Sequence, residues 1–137
     1  MTSAFGGNSH AEGYRTLASG DDSHAEGTGT TASGAYSHAE GENTNAYSRG
    51  SHAEGLNTKT DGEYAHVEGV GSHANGYASH AAGLYAAADK DYSYVWSGCN
   101  NSNVQFGTLN AHHAGTFNIW TGIYDPNTVH SASDVLS

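Results

Sequence analysis

Six histidines recur at a constant interval of 14 residues, and a glutamate stands two positions after most of them. The pentapeptide Ser-His-Ala-Glu-Gly occupies residues 9–13, 23–27, 37–41 and 51–55, and altered copies follow. Imidazole nitrogens and carboxylate oxygens bind transition metals, and they also form charge-assisted hydrogen bonds with each other. The spacing indicates a repeated polar array of His10, Glu12, His24, Glu26, His38, Glu40, His52, Glu54, His66 and Glu68, with His80 as a further histidine.

Two kinds of chemistry are open to this array. A transition metal on a symmetry axis would take its ligands from His10, His24, His38, His52, His66 and His80. No cysteine or paired-histidine spacing of the kind found in specific metal sites accompanies them. We therefore favour a ladder in which hydrogen bonds between histidine and glutamate set the register of the strands. The adjacent residues His112 and His113 would point to opposite sides of a strand, so we do not expect them to share a metal.

Catalysis is not indicated, although Ser, His and Glu are abundant. An active site needs one distinctive, unsymmetrical cluster of residues. These residue types instead recur in every repeat, which is typical of a structural role. The sequence predicts no enzyme activity, no catalytic residues and no cofactor other than the metal alternative.

The composition and charge exclude several classes of partner. Hydrophobic residues make up 36% of the 137 residues, with 19 Gly and one Pro, so a core would have to be built from small side chains. Nine Tyr argue against disorder, because disordered chains are usually poor in aromatics. A net charge of −10 argues against nucleic acid, whose binding needs a basic surface. No run of about 20 apolar residues is present, so no membrane insertion is expected.

The repeating unit is seven residues long and begins at Thr2. Its first position is nearly always Ser or Thr, its third is Ala in most copies, and its fifth is Gly in eleven of fourteen copies. A coiled coil would need large apolar residues at two positions of each heptad, and Gly at this frequency would destabilise a helix by about 1 kcal/mol each time. The pattern favours a strand and a turn in every unit.

Two units then make one coil of a β-solenoid with 14 residues per coil and seven coils between Thr2 and Cys99. Alternate residues of a strand face opposite sides, so the third position would point inward and the second and fourth outward. So small a coil has room only for Ala-sized groups inside. We expect Gly at the fifth position to supply turn conformations and the first-position hydroxyls to satisfy turn amides.

The outward His/Glu pattern predicts self-association. Stacked coils would place Glu above Glu at strand spacing, where like charges repel. A three-fold axis would relieve this repulsion, because His of one chain could meet Glu of the next. We expect a homotrimer whose interface ladder consists of His10, Glu12, His24, Glu26, His38, Glu40, His52, Glu54, His66 and Glu68. If protonated His makes these pairs, the trimer should weaken as the pH rises well above about 6.5.

Residues 2 to about 99 resemble the head repeats of trimeric autotransporter adhesins, which have the form Ser-x-Ala-x-Gly every 14 residues with a weaker half-repeat between. The resemblance implies a left-handed parallel β-roll with three chains side by side. In that family the second and fourth positions are commonly Val and Ile at the trimer interface, whereas here they are His and Glu. The Ser-His-Ala-Glu-Gly form is similar to repeats of bacteriophage tail-fibre and neck-appendage proteins.

The segment after the repeat has a different composition. Larger side chains return in residues 100–137, so the chain divides into a repeat domain over 1–99 and a C-terminal cap or tip module over 100–137. Repeat stacks need atypical ends, which favours packing of these side chains in a cap. The alternative is that Trp96, Trp120 and Tyr124 contact a receptor at the fibre tip.

The functional expectation is a structural segment that binds a host surface. The resemblance implies a phage tail fibre or appendage on the virion, with a homotrimer and a host cell-surface glycan or protein as partners. The alternatives are the head of a trimeric adhesin on a bacterial cell surface, and a purely structural spacer.

Overall fold

The computed structural model describes residues 1–98 together with the strands Leu109–Asn110 and Phe117–Trp120. Its strands form two eight-stranded sheets, and every pairing within them is parallel. The chain alternates between the sheets, so consecutive strands belong to opposite layers. The described residues contain no helix, and the predicted all-β solenoid is confirmed.

The two layers differ in strand length. One consists of long strands: β2 (His10–Tyr14), β4 (His24–Thr28), β6 (His38–Glu42), β8 (His52–Leu56), β10 (His66–Val70), β12 (His80–Leu84), β14 (Tyr94–Ser97) and β16 (Phe117–Trp120). The other consists of short strands: β1 (Ser3–Ala4), β3 (Leu17–Ala18), β5 (Thr31–Ala32), β7 (Asn45–Ala46), β9 (Lys59–Thr60), β11 (His73–Ala74), β13 (Ala86–Ala88) and β15 (Leu109–Asn110).

The register of the sheets reproduces the period of the sequence. His24 pairs with His38, Ala25 with Ala39 and Glu26 with Glu40, each a shift of one coil. The predicted coil of 14 residues is therefore confirmed. Beyond the seven coils, β15 pairs with β13 and β16 with β14, so each sheet gains a further strand after residue 99. The rest of the predicted cap or tip module over 100–137 lies outside the described residues.

A column of small residues fills the space between the layers, as predicted. The third position is fully buried from Ala18 to Val95, with Val67, Thr60 and Val95 as its larger members. Ala4 and Ala11, in the first coil, are not fully buried. Each buried Ala contributes little by itself, so the stability of the fold depends on close backbone stacking and on many ladder hydrogen bonds.

The sequence assigned the left-handed turns to Gly at the fifth position, and this interpretation was only partly correct. Gly in the long strands has a φ of +99° to +112°. Fifth-position Gly in the short-strand units has no positive φ, but a Cβ there would collide with the backbone carbonyl of the next coil, as at Gly20 against Gly34. The fifth position is thus required for close approach of the backbones as well as for conformation.

The seventh position holds the regular left-handed turn, which the sequence did not indicate. Residues as different as Asn8, Arg15, Asp22 and Tyr36 all have φ between +53° and +61° there. This conformation directs the amide to the preceding coil: the Tyr36 N–H donates to the Asp21 carbonyl at 2.8 Å and the Asp22 N–H to the Gly7 carbonyl at 2.7 Å. The turn therefore ties each coil to its neighbour.

The first-position hydroxyls act differently from the prediction. Ser23 Oγ donates to the Gly20 carbonyl at 2.6 Å and Ser79 Oγ to the Gly76 carbonyl at 2.8 Å. An amide donates to such a hydroxyl at Ser72, which accepts from the Ala86 N–H at 3.0 Å. The buried Ser side chains mainly cap turn carbonyls, because the turn amides already donate to carbonyls of the neighbouring coils.

Candidate functional site

The outer face of the long-strand sheet carries the predicted array, and we call it the His/Glu face. It holds His and Glu at the second and fourth positions of the units that form β2, β4, β6, β8 and β10, because the Ala or Val between them points inward. The side chains are half-buried: His38 is 35% exposed and Glu40 39%. The structure therefore aligns all ten predicted ladder residues along one side of a single chain.

The histidine rings stack along this face. Ring centroids of His24, His38, His52 and His66 follow one another at 4.7–4.8 Å, with interplanar angles of 4–5°. The stack changes at both ends: His10 meets His24 edge-on at 88°, and His80 is tilted by 41° against His66. Parallel rings direct their lone pairs in parallel, so neighbouring histidines of the ordered stack cannot converge on one ion.

Within one chain each histidine lies beside the glutamate of its own strand. Nε2 is 3.2 Å from the Glu12 carboxylate at His10, 3.4 Å from Glu26 at His24, and 3.8 Å from Glu54 at His52. The His10 contact is a hydrogen bond. At His24, His38 and His52 the ion-pair distance is met without hydrogen-bond geometry, and Nε2 is shielded from solvent. The predicted pairs thus contact within a chain, and pairing between chains stays a prediction.

Stacking alters the acid–base behaviour of the face. Burial, followed by the charge of neighbouring histidines, lowers the pKa of His38 and His52 below 6.5. His66 has a lowered pKa for the same reasons, burial first and then His80. Burial, followed by hydrogen bonding and repulsion from Glu68 and Glu40, raises the pKa of Glu54 above 4.5. The middle of the face therefore favours neutral imidazole.

The short-strand sheet carries an irregular outer face. Lys59 Nζ lies 2.6 Å from the Asp61 carboxylate, and His73 Nε2 lies 3.3 Å from Asp89. Hydrogen bonding to Asp61, partly opposed by burial, raises the pKa of Lys59 above 10.5. These contacts do not repeat from coil to coil, so this side offers no counterpart to the His/Glu face.

A second surface feature is an aromatic edge, which we define as Tyr36, Tyr64, Tyr77 and Tyr92 on the turns that follow the short strands. Their exposed fractions are 56%, 50%, 41% and 63%. Tyr77 contacts Tyr64 and Tyr92 edge-to-face, with ring centroids 5.8 and 5.6 Å apart. Arg49 lies over the Tyr36 ring at 5.1 Å. The sequence analysis missed this edge because its tyrosines occupy two different positions of the repeat.

The backbone of the aromatic edge is strained. Tyr36, Tyr64 and Tyr92 have φ values of +61°, +55° and +57°, a region that bulky residues rarely adopt. Asn and Gly fill the equivalent turn position in other coils without that cost. The chain therefore keeps exposed aromatic rings at positions whose backbone conformation disfavours them, and strain of this kind is found where a residue contacts a partner.

The predicted receptor residues are only partly described. Trp96 lies on β14 in register with Ala82 and is 46% exposed. Trp120 lies on β16, where its backbone pairs with Ser97. Tyr124, His112 and His113 lie outside the described residues. The three aromatic residues are thus not shown to form one surface.

No protein-family model matches the chain, and a search of curated proteins finds no match. Among the residues described, no helix has the length and apolar character needed to cross a membrane.

Proposed function

We propose that the chain is a rod-shaped segment of a homotrimeric fibre that displays a host-surface-binding edge, as in a phage tail fibre or appendage. The head of a bacterial trimeric adhesin is the alternative. In both, the solenoid supplies length and rigidity and the His/Glu face supplies the contact between chains. A left-handed coil and a C-terminal cap belong to the same proposal.

One observation carries the trimer: the half-buried polar face of the long strands. Nε2 atoms of His24, His38, His52, His66 and His80 are shielded from solvent yet make no hydrogen bond within the chain. Buried nitrogens without partners cost about 1–3 kcal/mol each. Glutamates stacked in register repel each other as well. Groups from neighbouring chains would relieve both costs at once.

A binding role, rather than that of a bare spacer, is supported by the aromatic edge. Exposed tyrosine faces stack against the C–H faces of sugar rings, and Tyr combines an apolar body with a polar hydroxyl. Glu63 and Asp91 lie on the turns of Tyr64 and Tyr92, and Asp21 and Asp22 lie on the turn one coil before Tyr36. Their carboxylates would repel an anionic glycan. The partner that fits this edge is therefore a neutral surface glycan.

Enzyme activity has no support from the His/Glu face. Each coil repeats the same pair of residues in the same arrangement, whereas catalysis needs one distinctive cluster.

The oligomeric state tests the proposal. Light scattering should give about three times the chain mass of 14.2 kDa, both with and without a chelator. His38→Asp adds a negative charge to the His/Glu face and should yield monomers, because like charges would meet on the axis. Asn45→Asp adds the same charge to the short-strand face of the same coil and should leave the trimer intact. A wild-type monomer, or equal loss in both variants, would remove the three-fold assembly.

A further inference from the structure

The last two glutamates of the His/Glu face form a cluster with the histidine between them. One ligand atom from each of Glu54, His66 and Glu68 lies within 4.8 Å of the other two. Among the described residues, no other group of three His, Cys, Asp or Glu side chains meets this condition, although the same residue types occur in every coil. We propose that Glu54, His66 and Glu68 bind one divalent transition-metal ion of the Zn²⁺ class within a single chain.

His66 differs from the other histidines of the stack. His24, His38 and His52 each have a carboxylate oxygen of their own strand at 3.4–3.8 Å. Among the described residues, His66 has none within 4.0 Å, and its Nε2 is shielded from solvent without a hydrogen bond. The imidazole of His66 is thus placed between two carboxylates and forms an ion pair with neither.

The local sequence explains why the cluster forms in this coil. Ala82 stands where the next glutamate of the column would be, so Glu68 has no carboxylate in the coil after it. Glu68 turns toward His80 instead, at 3.7 Å from Nε2. The ring of His80 is tilted by 41° against His66, whereas the rings below are nearly parallel. The regular His/Glu ladder ends at this point, and Glu54, His66 and Glu68 remain as potential metal ligands.

The charge and chemistry of the cluster fit a cation of intermediate hardness. Glu54 and Glu68 come from neighbouring strands, and an ion between them would replace their repulsion with attraction. Two carboxylates with one imidazole suit Zn²⁺, Co²⁺ or Ni²⁺, whereas Ca²⁺ and Mg²⁺ prefer all-oxygen sites. Ligand atoms around bound Zn²⁺ are roughly 3–3.5 Å apart. The two half-buried glutamate side chains would rotate toward His66 to close that gap.

Titration with ZnCl₂ by calorimetry, and with CoCl₂ by visible absorption, tests the site. The wild-type chain should bind about one ion per chain, and Co²⁺ should develop ligand-field bands. Glu68→Gln and His66→Asn should each weaken binding about tenfold or more, because each removes a ligand. Glu26→Gln and His24→Asn make the same changes three coils earlier, where neither side chain contacts a proposed ligand, and should leave the affinity unchanged. Circular dichroism of all four variants checks that they fold.

Failure of Glu68→Gln to weaken binding while the protein stays folded would overturn the site. Equal losses in the matched pairs would show diffuse binding along the whole face and overturn it too, as would the absence of Zn²⁺ binding by the wild-type chain. The site does not depend on the proposed trimer. A monomeric protein that binds one ion at Glu68 would refute the trimer and support the metal site. A chelator-resistant trimer without Zn²⁺ binding would support the trimer and refute the metal site.

Discussion

At the scale of single residues, backbone constraints determine which residue types recur in the repeat. The inward Ala and the close approach at Gly follow from the narrowness of the coil, so both could be predicted from their recurrence. The left-handed seventh position could not, because Asn, Asp, Gly, Arg, Ala and Tyr all occupy it. Its conformation is imposed by backbone hydrogen bonds to the neighbouring coil. These bonds do not require one residue type, so the sequence shows no pattern at this position.

We predict that Gly27→Ala destabilises the fold strongly, by about 3 kcal/mol or more. Gly27 has a φ of +108°, and a Cβ there would collide with the Gly41 carbonyl, which is backbone and cannot move away. Urea unfolding measures the change in the free energy of unfolding.

The matched control is Gly29→Asn, two residues along the same chain. Gly29 has a φ of +68°, and the one close contact of its added Cβ would be Asn43 Oδ1 at 2.6 Å, the movable end of a side chain. Asn already occupies the equivalent turn position at residues 43 and 57. A change within about 1 kcal/mol is expected. Similar losses in both variants would contradict the close-approach explanation.

At the scale of the strands, the sequence predicted which residues form the His/Glu face. It did not predict the contacts between their side chains. Period and alternation put the ten side chains on one face. Stacking of the rings and pairing within a strand depend on side-chain torsions, which the repeat does not encode. The cluster of Glu54, His66 and Glu68 lies where Ala82 interrupts the glutamate column. The sequence showed this altered copy of the repeat but did not indicate the contacts around it.

The stacked histidines predict how stability depends on pH. Their pKa values are lowered in the folded chain, so the unfolded chain binds more protons at pH values just below 6.5. The stabilisation is fully present above 6.5 and is lost as the pH falls through that range. Glu54 acts in the opposite sense near pH 4.5, where its raised pKa contributes stability that is lost as the pH rises. Unfolding should therefore need less urea at about pH 5.5 than at about pH 7.5.

Replacement of His52 with Asn should reduce this pH dependence, because His52 lies within the stack. His73→Asn, on the opposite sheet, controls for the loss of one histidine. An unfolding free energy that does not change with pH would contradict the shifts. The lowered values also oppose the expectation that protonated His drives assembly: neutral imidazole, donating a hydrogen bond to a glutamate, fits the stack better.

The turns at the aromatic edge lead to a prediction that separates stability from binding. In the double variant Tyr36→Asn and Tyr64→Asn, relief of backbone strain of about 1–2 kcal/mol per residue should offset the lost ring contacts of about 0.5–1.5 kcal/mol. Stability should change little, while binding to neutral polysaccharides on a glycan array should be lost. Tyr14→Asn, on an exposed tyrosine of a long strand, should preserve binding. Unchanged binding in the double variant would favour a spacer.

At the scale of the whole molecule, the solenoid follows from the repeat almost completely. The coil length, the assignment of strands to layers and the inward column were all predicted, because the same residue pattern recurs in every coil. The extra strands β15 and β16 were not predicted, since Leu109–Asn110 and Phe117–Trp120 lack the repeat; their backbones pair with β13 and β14. The trimer rests on charge patterning and stays a prediction.

The identity of neighbouring coils has a consequence for the length of the rod. Each coil offers the next the same backbone edge, the same Ala and the same close approach at Gly. Adding or removing one whole coil therefore preserves the backbone ladder and the inward column, and it changes the length of the rod by about 4.8 Å. Adding half a coil would exchange the two outer faces from that point onward. The length of the rod is thus set by the number of coils and can change while the contacts that define a coil stay the same.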